Sequence, residues 1–130
     1  MGANAVTAQA IYDAFGRGDV PNVLAAFDEK IDWQEPDGLP FENQVGPQAV
    51  AENVFGAVLS QLKDFRADVR EIVDGGDIVC AIGTYHGTGA TSGVELDAEF
   101  VHVLRFGQDG KVTGFRTYTD THLWRQALGV

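Results

Sequence analysis

The stretch Ile31-Asp32-Trp33-Gln34-Glu35 places a carboxyl group two residues after a tryptophan. Along an extended strand, side chains two apart share a face, so a Trp33 that points into an apolar interior carries Glu35 to the same side. A second titratable group obeys the same rule. In Phe100-Val101-His102-Val103-Leu104-Arg105-Phe106, alternation sets Phe100, His102 and Leu104 on one face and Val101, Val103 and Arg105 on the other. A carboxylate and an imidazole, each in aromatic company, are the parts of an apolar cavity that transfers protons. Burial raises a carboxyl group's affinity for protons, toward a value useful for removing a proton near neutrality. A histidine opposite donates a hydrogen bond to the oxygen on which charge develops. Taken singly, each has a plainer reading: His102 as a satisfied core or interface residue, Glu35 as the exposed end of a strand.

Both groups need a sheet to hold them. The segment VTAQAIYDAFGRGD reads as a helix that Thr7 caps, with Ile11, Ala14 and Phe15 recurring on one side and Gly16 and Gly18 as the stop. Pro21 opens a second helix, PNVLAAFDEK, whose stripe is Val23, Leu24 and Phe27. IDWQE follows as a strand, closed by Pro36-Asp37-Gly38. Pro47 starts a third helix with Val50, Val54, Val58 and Leu62 on one side and Phe55 beside them. Four strand-like runs come next: FRADVREIVD, DIVCAIGTYHG, ELDAEFVHVLRF and KVTGFRTYTD. Gly75-Gly76, the TGATSG segment and the QDG turn at 108–110 separate them, as in consecutive antiparallel hairpins. THLWRQALG then reads as a short closing helix.

Helices first and strands last predict an α+β fold, a curved, mainly antiparallel sheet covered on its concave face by three N-terminal helices that enclose a pocket. One domain is expected over residues 1–130. In VCAIGTYHG, Ala81, Gly83 and Tyr85 share a face, nearly empty at two sites. Such a face leaves room for a ligand; Gly83 as the mark of a β-bulge is the other reading.

Composition narrows the function classes. The chain has 130 residues, 45% of them hydrophobic, enough to bury one core. Nineteen acidic against nine basic residues give a net charge of -10, which repels phosphate backbones and makes nucleic acid an unsuitable partner. The single cysteine, Cys80, lies in an apolar run and forms no internal disulfide. His86, His102 and His122 lack metal-ligand spacing, and TGATSG fits no phosphate-binding pattern. No apolar run is long enough for a membrane span and no signal peptide is visible, so a soluble, cytoplasmic protein is expected. No metal and no cofactor are expected, which leaves chemistry to acid–base side chains.

The order helix, Gly-Asp, helix, strand ending acid-Pro, Gly-Pro at a third helix, then hairpins with a His-x-x-Arg-Phe strand resembles the SnoaL-like and ketosteroid isomerase-like superfamily. Its fold is that of nuclear transport factor 2, and the resemblance covers roughly residues 5 to 129. In the steroid isomerases the general base is an aspartate before the proline of Glu-Asp-Pro-x-Gly; Gln34-Glu35-Pro36-Asp37-Gly38 matches, which implies Glu35 as the base. Their protonated aspartate, an oxyanion donor three residues before Arg-Phe, corresponds to His102. Their oxyanion tyrosine corresponds to Ile11, with Tyr12 turned about 100° away around the helix, so the isomerase pair of donors is expected to be missing. The C-terminal region is similar to polyketide cyclases, whose final strand ends in an acid-base aspartate before a helix ending Gln-Leu-Gly. That likeness implies Asp120 as a second candidate, with helix capping as its other reading. Limonene epoxide hydrolase needs a final strand reading Arg-Asp-Tyr; Arg116-Thr117-Tyr118 lacks that acid and argues against epoxide opening.

The expected ligand is therefore a small apolar carbonyl compound. Glu35, His102 and Asp120 are the candidate catalytic residues, in a pocket of Tyr12, Phe15, Trp33, Phe41, Tyr85, Phe100 and Thr117. Isomerisation or aldol-type cyclisation is the expected chemistry, and a non-catalytic binding or dimerisation module of the same fold is the alternative. A homodimer is expected through the outer sheet face, where Val101 and Val103 would otherwise be exposed.

Overall fold

The computed structural model describes residues 1–130. Helix α1 spans Ala3–Gly16 and starts from Gly2, with no side-chain cap. Thr7 thus lies inside the helix, correcting its assignment as the cap. The start is tied down from a distance instead, because the Gly2 amide donates to Asp74 Oδ2 at 2.7 Å. Ala5, Ala8, Ile11 and Ala14 are buried, and three of these four are alanines that let the helix lie close to the sheet.

Helix α2 is short, Val20–Ala25, capped by Asp19, whose carboxylate accepts from the Asn22 amide. The helix expected to reach Lys30 gives way to strand β1, Phe27–Gln34. Long-range pairing decides this: β1 runs parallel to β6 (Val112–Thr119), and alternation buries Ile31 and Trp33. The two-residue strand β2, Gln44–Val45, pairs with β1 and has no counterpart in the sequence reading.

Helix α3 (Pro47–Val50), a π-helical turn (Ala51–Phe55) and α4 (Gly56–Gln61) follow one another without a break in helical dihedrals. Leu62, expected on this helix, has turned extended and opens β3, Leu62–Gly75. The wider turn brings the adjacent Val54 and Phe55, with Val58, to the cavity wall. Strands β4 (Ile78–Gly89) and β5 (Glu95–Phe106) complete a mixed six-stranded sheet of order β2-β1-β6-β5-β4-β3, and α5 (Thr121–Leu128) closes the chain. The sheet is open, and every neighbouring pair except β1–β6 is antiparallel. No helix is long and apolar enough to cross a membrane.

Alternation along β5 buries Leu96, Ala98, Phe100, His102, Leu104 and Phe106. On β4, the room expected at Gly83 is already filled. A Cβ there would meet the Asp68 carbonyl oxygen at 2.1 Å and the Phe100 ring at 2.8 Å, opposite a register slip between Val69 and Glu71. Gly83 therefore accommodates a bulge in β3 rather than a ligand.

Two apolar clusters share the inner face. One gathers α1, β1 and the Leu104–Phe115 end of the sheet; the other gathers Tyr85, Phe100 and α5 around Trp124. His102 and Thr117, each 4% exposed, are the two buried polar side chains between them.

Candidate active site

A cavity of about 80 Å³ opens where the two clusters meet, several times the space that one water needs. Sixteen of its twenty lining residues are hydrophobic. Glu35, Tyr12, His102, Tyr85 and Thr117 supply its main polar groups.

Glu35 reaches this wall as the sequence pattern requires. It follows β1 directly, and its half-buried carboxyl accepts from Trp33 Nε1 at 2.8 Å. Its backbone amide donates to Asn43 Oδ1 at 2.8 Å, fixing the turn that begins at Pro36. Burial pushes the carboxyl up to about 7, and the indole hydrogen bond only partly offsets this. A carboxyl in that range is half ionised at neutral pH and serves as base and then acid in one cycle.

Trp33 stacks on Phe115, with ring centroids 3.7 Å apart, and Phe115 packs against His102 at 4.7 Å. The carboxyl and the imidazole are thus braced on one aromatic wall. His102 is held from both sides: Tyr12 Oη lies 2.6 Å from Nδ1, and Tyr85 Oη lies 2.5 Å from Nε2. Tyr85 Oη also lies 3.1 Å from Thr117 Oγ1. Burial pushes His102 down to about 3, so the ring is neutral. Burial likewise raises both tyrosines; the Thr117 hydrogen bond lowers Tyr85, and the nearby Glu35 charge raises it further.

Several expectations need correction. His102 was expected to donate directly to a ligand, but both its nitrogens are taken by tyrosine hydroxyls. Tyr12 was expected in the pocket, but turned about 100° from the tyrosine position of the isomerases, so that their pair of donors would be missing. Ile11 and Tyr12 instead straddle the inward direction of α1, so both line the cavity, and the longer tyrosine reaches His102. Asp120 is exposed and outside the cavity; its carboxylate caps α5 by accepting from the Leu123 amide at 3.2 Å. Phe41 and Phe100 lie behind the wall rather than on it. Phe41 packs edge-on against Trp124, and Phe100 stacks on His102 at 4.1 Å. Phe15, Trp33, Tyr85 and Thr117 do line the cavity.

The sequence reading overlooked Phe115, Trp124, Phe65 and Leu39 as lining residues. Alternation on β6 points to Phe115, two residues before Thr117. The other three depend on how separate elements pack and carry no local signal.

A model of the SnoaL-like domain matches residues 8–115. An NTF2-like protein of unknown function from Burkholderia pseudomallei is 28% identical, with a TM-score of 0.91 and both chains covered in full. An NTF2-like protein from Burkholderia thailandensis is 27% identical, with a TM-score of 0.93 over 98% of each chain. TerC, co-crystallised with polyporic acid, is 23% identical, with a TM-score of 0.87 over 99% of this chain and 100% of its own. A search of curated protein sequences gave no match. With its mixed open sheet, overlying helices and an apolar cavity between them, the chain belongs to the SnoaL-like domain family and has the NTF2-like fold.

Proposed function

We propose that the protein is an acid–base enzyme acting on a compact, apolar carbonyl compound, without help from a cofactor. Glu35 removes a proton from the carbon beside the carbonyl. The electron pair of that C–H bond becomes the new C=C bond, and charge moves onto the carbonyl oxygen, which accepts from the Tyr12 hydroxyl. Protonated Glu35 then returns its proton at the same or another carbon, giving isomerisation, or the enolate attacks a second carbonyl in an aldol-type ring closure. The carrying observation is a carboxyl titrating near 7 on the wall of the same cavity as the tyrosine-histidine chain. The apolar lining and the net charge of -10 favour neutral occupants over anions.

The test is exchange of the α-protons of small cyclic ketones, cyclohexanone first, in D2O. The native protein is expected to accelerate exchange, Glu35→Gln to abolish the acceleration while staying folded, and Tyr12→Phe to reduce it about 100-fold. Saturable ketone binding without exchange, or no effect on any ketone, overturns the reading and leaves a ligand-binding module.

The reading includes a cytoplasmic homodimer of one-domain chains joined across the outer sheet face, where Val101 is 37% and Tyr118 is 51% exposed. Sedimentation at micromolar concentration that finds only the 14.0 kDa species refutes the dimer.

A further inference from the structure

With His102 neutral, Tyr12, His102, Tyr85 and Thr117 carry one exchangeable proton each, four in all, and three hydrogen bonds join them. Each bond uses one proton, so one proton is left over and emerges at an end of the chain. When Nε2 carries the ring proton, Tyr12 donates to Nδ1, Nε2–H donates to Tyr85, Tyr85 donates to Thr117, and the spare proton sits on Thr117. When Nδ1 carries it, donation runs from Thr117 through Tyr85 to Nε2, then from Nδ1–H to Tyr12, and the Tyr12 O–H is free. In the mixed arrangement Nε2–H and Thr117 both donate to Tyr85, and the spare proton is trapped on the Tyr85 hydroxyl between two donors instead of at an end of the chain, at a cost of about 1–3 kcal/mol.

We propose that this chain runs in two directions, that the tautomer of His102 sets the direction, and that Thr117 is the positioning residue governing how much of the protein stands ready to donate from Tyr12. The consequence for catalysis rests on the acid–base reading above; the two directions do not. Tyr12 and Thr117 both line the cavity. A ligand with a carbonyl oxygen against Tyr12 and a hydroxyl against Thr117 satisfies both ends together: Tyr12 donates, and Thr117, having given its proton to Tyr85, accepts. Hydroxy-carbonyl compounds are therefore the substrate class that the chain favours.

Two variants push the chain in opposite directions. Thr117→Val is close to isosteric and leaves His102 Nε2 as the one partner of Tyr85 Oη, so Tyr85 donates and the ring proton moves to Nδ1. Tyr12→Phe removes the partner of Nδ1; a bare lone pair costs less than a stranded N–H, so the proton moves to Nε2. The readout is the 15N NMR signature of the two ring nitrogens of His102 in folded, ligand-free protein. The expected result is Nδ1–H in Thr117→Val and Nε2–H in Tyr12→Phe; the same tautomer in both overturns the proposal. If Thr117→Val fails to fold, Tyr85→Phe is expected to give Nδ1–H, and Nε2–H there overturns it equally.

With cyclohexanone as probe, Thr117→Val is expected to bind more tightly by the inverse of the fraction of native protein in the Nδ1–H form. The gain is about twofold if both forms are equally populated. Weaker binding, as a direct contact from the Thr117 hydroxyl would give, overturns its positioning role. Failure of ketone exchange with the expected tautomers present would remove the reaction and leave the chain.

Discussion

Replacing Glu35 by Gln removes a titrating group while keeping its size and an oxygen able to accept from Trp33 Nε1. In the fold this carboxyl titrates near 7 against an ordinary 4.5, because burial disfavours the ionised form. The unfolded chain releases the proton at lower pH than the folded chain does, so ionisation favours unfolding. The cost is absent below about pH 4.5, grows as pH rises toward 7, and levels off above that. The gap of about 2.5 pH units, from 4.5 to 7, at about 1.4 kcal/mol per unit amounts to roughly 3 kcal/mol at pH 8. Glutamine escapes this cost. Urea unfolding of both proteins at pH 4 and pH 8 is the assay. Equal stability at pH 4 and a gain of about 3 kcal/mol for Glu35→Gln at pH 8 are expected, alongside loss of α-proton exchange. A difference independent of pH, or a less stable variant at pH 8, refutes the reasoning that Glu35 is held in a dry wall at the expense of stability.

Trp33→Phe deletes the indole donor that favours the Glu35 carboxylate, so its titration moves above about 7 and the rising limb of the pH–rate profile moves to higher pH; an unmoved limb contradicts this. Gly83→Ala drives a methyl group into the Asp68 carbonyl and the Phe100 ring, and thermal denaturation should show a loss of about 2 kcal/mol or more. Asp120→Ala removes the cap of α5 and should cost about 1 kcal/mol while sparing ketone exchange. A large loss of exchange in that variant would return Asp120 to the reaction.

The facing of Glu35 and His102 was legible because period-two alternation is local: Trp33 carries Glu35 inward, and β5 buries every second residue from Leu96 to Phe106. The hairpins were legible from their turn residues. Residues 27–30 were not, since DEK between apolar residues suits a helix until β6 arrives from 80 and more positions away to pair with β1. β2, with two residues, has too little pattern to announce itself. The partners of His102 were hidden for the same reason, one lying 90 residues and the other 17 residues away. Whether Gly83 opens a pocket or admits a bulge depends on Asp68 and Phe100, which neither periodicity nor composition places beside it.

A 13C NMR titration of the Glu35 side-chain carboxyl, with Glu35→Gln identifying its signal, bears most directly on the central claim. A midpoint near 7 that moves when cyclohexanone binds is the expected result. A midpoint near the ordinary 4.5, indifferent to ketone, would show a hydrated surface acid and contradict the account.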